Sequence, residues 1–144
     1  MLKGKKIVLG VTGGIAVYKA VDLVSRLRKQ GCEVRVVMTE HAQKFVTPLT
    51  FKEISGNAVA TSMWNSNQEF NVEHIALANW ADAFLVAPAT ANILAKMTYG
   101  IADDLLSTTL LAAQAPIVVC PAMNTGMYLN AATQENIAKL QSRG

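Results

Sequence analysis

Three short stretches concentrate residue types able to hold or transform a small polar ligand. Thr12-Gly13-Gly14-Ile15 is a hydroxyl followed by two glycines, the composition of a tight turn whose backbone amides can approach a phosphate. The tight turn alone is a sufficient reason for the glycines, and both readings stand. Thr90-Ala91-Asn92 and Met123-Asn124 each follow an apolar run and a proline, Pro88 and Pro121. Their small neighbours let a flat ring come near the backbone. An asparagine amide has two donors and an acceptor, so Asn124 suits a ligand carboxylate as well as it suits capping a turn. His74 opens the apolar run His74-Ile-Ala-Leu-Ala-Asn-Trp-Ala81. Imidazole titrates near neutrality, so a proton relay and a helix cap are both open there. Asp103 and Asp104 are adjacent carboxylates without a third ligand, which favours a helix cap over a metal site. His41 carries a weaker signal, and no metal is expected.

These stretches need elements to position them. Residues 6–11 are a short buried strand running into the glycine turn. Residues 16–30 place Val17, Ala20, Val21, Val24 and Leu27 on one face and Lys19, Asp22, Arg26 and Lys29 on the other, with Gly31 as the stop. Residues 33–38 are a second strand, and a right-handed strand–helix–strand unit puts the 12–14 turn at the carboxyl edge and at a helix N-terminus. Short helices are expected at 40–46 and 48–55, a small strand at 58–63, a polar loop at 65–71 and a helix from His74. Residues 83–87 form a strand stopped by Pro88, followed by a helix at 93–99 and a long one over 101–114 capped by Asp103 or Asp104. Residues 117–120 read as a strand buried on both faces, closed by Pro121, and 130–142 as a helix capped by Asn130. The alternation predicts an α/β three-layer sandwich on a parallel, doubly wound sheet, flavodoxin-like or Rossmann-like, with ligands beyond the carboxyl ends of the strands.

Composition narrows the class. A chain of 144 residues with 51% hydrophobic and 16% charged residues is one domain with a substantial core. The net charge of +3 is spread out, and Lys3, Lys5 and Lys6 solvate a terminus, so no nucleic-acid partner is expected. Cys32 and Cys120 lack metal-type spacing, with Cys120 placed in the apolar strand. Neither a membrane span nor a signal peptide is visible, and the expectation is a reduced, cytoplasmic protein. The glycines at 10, 13 and 14 fit neither G-x-G-x-x-G nor a Walker loop. One glycine turn provides one phosphate site, which favours a mononucleotide over an adenine dinucleotide or ATP.

Taken in order, Gly10-Val-Thr-Gly-Gly-Ile-Ala-Val-Tyr-Lys19, His74, Ala87-Pro-Ala-Thr-Ala-Asn92, Ala102-Asp-Asp-Leu105 and Pro121-Ala-Met-Asn-Thr-Gly-Met127 resemble the motif set of the flavin-dependent cysteine decarboxylases. Within that family the resemblance is closest to the decarboxylase half of bacterial bifunctional phosphopantothenoylcysteine decarboxylase/synthetases of coenzyme A biosynthesis, and it covers essentially the whole chain. It implies FMN, with its phosphate near Gly13, Gly14, Ile15 and Thr39 and its ring against Phe45 and the Thr90-Ala91-Asn92 turn. It implies oxidation of the cysteine thiol of 4′-phosphopantothenoylcysteine to a thioaldehyde, loss of CO2, and return of the hydride to give 4′-phosphopantetheine. His74 is then the base or proton relay, and Asn124, with Met123 beside it, binds the substrate carboxylate. The resemblance also implies a homotrimer or a multiple of trimers with FMN between subunits.

The chain departs from the family pattern at Tyr128, where members usually carry tryptophan, and at Asp103, where many carry asparagine. The family's substrate clamp with its reductive-half cysteine, and the synthetase domain, fall beyond Gly144, so a decarboxylase domain shortened at its C-terminus is expected. Two other readings are a non-catalytic flavin-binding or regulatory subunit and a flavin prenyltransferase. Such inhibitory subunits typically bear long acidic tails, absent here, and prenyltransferases lack the Pro-Ala-Met-Asn motif.

Overall fold

The computed structural model describes residues 1–64 and 73–144, and the polar loop expected at 65–71 lies outside them. The elements run β1 (Lys6–Val11), α1 (Val17–Lys29), β2 (Glu33–Met38), a 3-10 turn (Ala42–Lys44), α2 (Pro48–Ser55), α3 (Glu73–Trp80), β3 (Ala83–Ala89), α4 (Ala91–Tyr99), α5 (Leu105–Ala112), β4 (Ile117–Pro121), α6 (Thr125–Leu129) and α7 (Ala131–Ser142). The four strands are parallel in the order β2-β1-β3-β4. The chain moves outward from β1 to β2 and then crosses back to β3, so the strand order reverses between β1 and β3. A crevice opens beyond the carboxyl ends at such a reversal.

The period of two along β1 divides its side chains between two cores. Ile7, Leu9 and Val11 join Val17, Ala20 and Val24 of α1 and Phe51 of α2. Val8 joins Phe84 and Val86 of β3, with Leu77 of α3, Ile93 and Leu94 of α4 and Leu105, Leu106 and Leu110 of α5. Each fully buried aliphatic contributes about 1.5–3 kcal/mol, and covering both sheet faces this way gives the three layers. The cores therefore fix where the strands end, and with them the loops above.

Several expectations need correction. Residues 58–63 form no strand; Ala60 alone bridges Val37 in parallel, its amide donating to the Val36 carbonyl at 3.0 Å and its carbonyl accepting from Met38 at 3.0 Å. β3 runs through Pro88 to Ala89, with a register irregularity between Val86 and Ala89, because this stretch carries few of the ladder bonds a proline would break. The helix expected over 101–114 is only Leu105–Ala112. The helix expected at 40–46 is only the 3-10 turn Ala42–Lys44, and α6 is an element the sequence reading does not contain. β4 is an edge strand and is not buried on both faces: Val118 is 51% exposed, and Cys120 is an exposed free thiol. Apolar runs mark edge and central strands alike, and only the pairing order separates them. Among the described residues, no helix is long and apolar enough to cross a membrane.

Candidate functional site

Thr12 organises the carboxyl edge. Its side chain is buried, at 2% exposure, and its hydroxyl donates to the Pro88 carbonyl while accepting from the Thr90 amide at 3.1 Å. One hydroxyl thus ties the turn after β1 to the turn after β3. Thr90 in turn caps α4 by accepting from the Ile93 amide at 3.2 Å. The third segment is fixed by Thr39, whose hydroxyl accepts from Ala42 at 3.2 Å. Gly13 is dictated by packing, because an added Cβ would sit 2.5 Å from Cβ of His41 and 2.9 Å from its carbonyl carbon.

Gly14 differs. A Cβ built there meets nothing within 4 Å, and its φ is not positive. Neither protein packing nor backbone conformation requires glycine at this position. The helix that follows begins at Val17, with Ala16 at its N-cap position and no side-chain cap, and among the described residues the amides of Gly13, Gly14, Ile15 and Ala16 donate to no protein acceptor. Open space in front of free amides at a helix N-terminus suits an anionic group.

These turns border a cleft of about 570 Å³. Of the residues expected at the site, Gly13, Thr39, Thr90, Ala91 and Asn92 line it. Gly14, Ile15, Phe45, Met123, Asn124 and His74 lie outside the lining formed by the described residues. Ile15 and Phe45 are exposed beside it, while Met123 packs partly buried against the second core. His74 is half-buried in the first turn of α3. Its neighbour Glu73 has its carboxyl pushed above the ordinary 4.5 by burial, which disfavours the charged form. Asn124 is exposed and caps α6, its Oδ1 accepting from Met127 at 3.0 Å. The two polar turns do lie side by side, since the Ala122 amide donates to the Ala89 carbonyl at 3.1 Å.

Thr12, expected as part of the glycine turn, also lines the cleft, and sequence reasoning missed Trp64, Lys96 and Met127, which line it too. Lys96 stands four residues after Asn92, one turn along the same helix face, and that spacing was a usable signal. Its Nζ lies 2.8 Å from Oδ1 of Asp103, and this ammonium, chiefly by hydrogen bonding, holds the Asp103 carboxyl below its ordinary range. Asp104, not Asp103, caps α5: it accepts from the Ser107 amide at 2.7 Å, while the Ser107 hydroxyl oxygen completes the capping box by accepting from the Asp104 amide. A second, more apolar groove of about 800 Å³ runs along β4, α5 and α7. Among the described residues no cluster of His, Cys, Asp or Glu could hold a metal ion.

Comparison with known proteins adds identity to this geometry. The chain is 54% identical over 143 residues to the coenzyme A biosynthesis bifunctional protein CoaBC of Vibrio vulnificus (strain YJ016), a match covering 99% of this chain and 36% of that protein. The chain thus spans about a third of the length of the curated relatives it matches. The solved FMN-dependent cysteine decarboxylase SpaF superposes with a TM-score of 0.93 at 36% identity, covering 100% of this chain and 83% of that one. A PPC decarboxylase mutant complexed with pantothenoylaminoethenethiol superposes with a TM-score of 0.81 at 30% identity, covering 97% and 79%. The family model described as Flavoprotein matches residues 1–144, from the glycine turn at the switch point to the last helix, and the chain belongs to the Flavoprotein family.

Proposed function

We propose that this chain is an FMN-dependent decarboxylase that converts 4′-phosphopantothenoylcysteine into 4′-phosphopantetheine in coenzyme A biosynthesis. The observation that carries the reading is similarity along the whole of this chain to about a third of a bifunctional coenzyme A biosynthesis protein and to most of a solved FMN-dependent cysteine decarboxylase. The residues present fit FMN. The free amides of 13–16 and the unfilled space at Gly14 suit its single phosphate, with Ile15 flanking the turn. Thr39 keeps a hydroxyl proton to donate, because its oxygen is the acceptor for Ala42. Phe45 and the Thr90-Ala91-Asn92 turn supply the ring wall.

When bound, FMN supplies a two-electron acceptor that takes a hydride equivalent from the cysteine β-carbon and later returns it. His74 takes the thiol proton as the carbon–sulfur bond becomes a thioaldehyde, which leaves the carboxylate β to a C=S and able to depart as CO2. Asn124 holds that carboxylate. Its Oδ1 is already committed to the Met127 amide, so the amide presents its NH2 group, two donors that bind a carboxylate and exchange no proton with it. Capping and substrate binding are one arrangement, with the cap aiming the donors. Met123 orients the Asn124 turn by packing into the second core.

The further proposal is assembly as a homotrimer or a multiple of trimers, with each site completed by a neighbouring copy. Ile15, Tyr18, Phe45 and Leu49 are exposed apolar side chains on the segments beside the cleft, a surface of the kind that subunits cover. Purified protein should be yellow, release FMN and not FAD, sediment as an oligomer, and convert the substrate with loss of CO2 detectable by mass spectrometry. A colourless protein that leaves the substrate intact would sink the reading.

A further inference from the structure

Lys96 is the only lysine or arginine among the described residues lining the cleft, where Glu40, Asp103 and Asp104 are the acids. Its side chain is 19% exposed and that of Asp103 is 57% exposed, so the cation is the more deeply set member of the pair. The pair is built: the Asp103 amide donates to the Ser107 hydroxyl oxygen at 3.1 Å, and that hydroxyl in turn donates to the Asp103 carboxylate at 3.4 Å. Resting on the FMN reading above, we propose that Lys96 sets the reduction potential of the bound flavin, with Asp103 moderating it. Hydride uptake adds one negative charge to the flavin, since two electrons arrive with one proton. Glu40, Asp103 and Asp104 in the lining oppose that charge, and a fixed ammonium favours the reduced form over the oxidised one. Thiol oxidation needs the flavin to accept electrons readily, so Lys96 serves the oxidative half of the reaction as a positioning and tuning residue.

The proposal and a purely structural role predict different signs. Lys96→Met and Asp103→Asn remove the same 2.8 Å contact, so a brace tying α4 to the α5 cap would move both variants the same way. Under the charge role they move oppositely. FMN affinity is measured first by fluorescence titration, and the midpoint potential then by dithionite titration against reference dyes at fixed pH. Lys96→Met should weaken binding of reduced relative to oxidised FMN about tenfold, a drop of about 30 mV for a two-electron couple. Asp103→Asn should raise the potential, and Lys96→Arg should leave it near the parent value. Shifts of the same sign, or none, with FMN bound would overturn the proposal while leaving the function intact. Failure of the parent protein to bind FMN would overturn both, and the affinity step distinguishes the cases. If Lys96→Met does not fold, a potential for Asp103→Asn that is unmoved or lowered overturns the proposal by itself.

Discussion

The adjacent glycines of the first turn make a sharp test because the structure gives them different reasons to exist. Gly13→Ala forces a Cβ within 2.5 Å of His41 Cβ and 2.9 Å of its backbone carbon. Backbone cannot retreat as a flexible side chain can, so the substitution should cost about 1–3 kcal/mol, as overpacking does. Gly14→Ala meets nothing within 4 Å and needs no positive φ. It should leave the fold unharmed or stabilise it by about 0.4–1 kcal/mol, because alanine restricts the unfolded chain. If that empty space receives the FMN phosphate, the new methyl displaces a charge-assisted hydrogen bond worth about 1.5–3 kcal/mol, which is about a tenfold to a hundredfold rise in Kd. Urea denaturation without flavin reads the first quantity, and FMN fluorescence titration the second. Gly13→Ala should lose stability and affinity together, while Gly14→Ala should lose affinity alone. A Gly14→Ala variant with parent affinity would remove the phosphate from this turn. A Gly13→Ala variant with parent stability would refute the packing argument.

Other expectations concern single groups. His74→Asn should retain FMN yet fail to bleach it when substrate is added without oxygen; normal bleaching would take His74 out of the oxidative step. Asn124→Asp keeps an N-cap of equal quality but sets a negative charge against the substrate carboxylate, so its thermal stability should match the parent while substrate binding is lost; Asn124→Ala should instead lose about 1 kcal/mol with the cap. Asp104→Ala removes the capping box of α5 and should cost about 0.5–2 kcal/mol in a denaturant titration, with no loss pointing to other support for that turn. Glu73 has a folded-state pKa above its ordinary 4.5. The unfolded chain therefore releases its proton first, and stability is fully present below 4.5 and falls as pH rises through the window up to the folded value. Glu73→Gln should flatten that fall and be the more stable form above the window, as urea midpoints on either side of it would show.

Local chemistry wrote much of the fold into the chain. β1, β2 and α2 occupy the spans their residues predict, because each is bounded by glycine, proline or a charged turn and its apolar period is unambiguous. The heptad-like face of α1 and the caps at Asn130 and Asp104 follow from short-range rules of the same kind. The family motifs were legible for the same reason: a glycine turn, a Thr-Ala-Asn turn and a Met-Asn turn are contiguous strings whose composition reflects the backbone approach they allow.

What the sequence could not contain was the set of distances between those strings. The hydroxyl of Thr12 joins residues 76 and 78 positions away, and nothing in a threonine before two glycines says that it will. The ion pair of Lys96 depends on how α4 and α5 pack, and the sequence leaves Asp103 and Asp104 as equal candidates for the cap that Asp104 provides. Edge and centre are equally hidden: four consecutive apolar residues predict a strand buried on both faces, yet Val118 and Cys120 are exposed because β4 comes last in the strand order. Apolar content and backbone chemistry are properties of a residue and its near neighbours, so the sequence determined elements, turns and ligand-ready motifs. Which strand lies outermost, which hydroxyl joins two loops and which cation faces the cleft are properties of pairs far apart in the chain, and only the packing of the layers decided them.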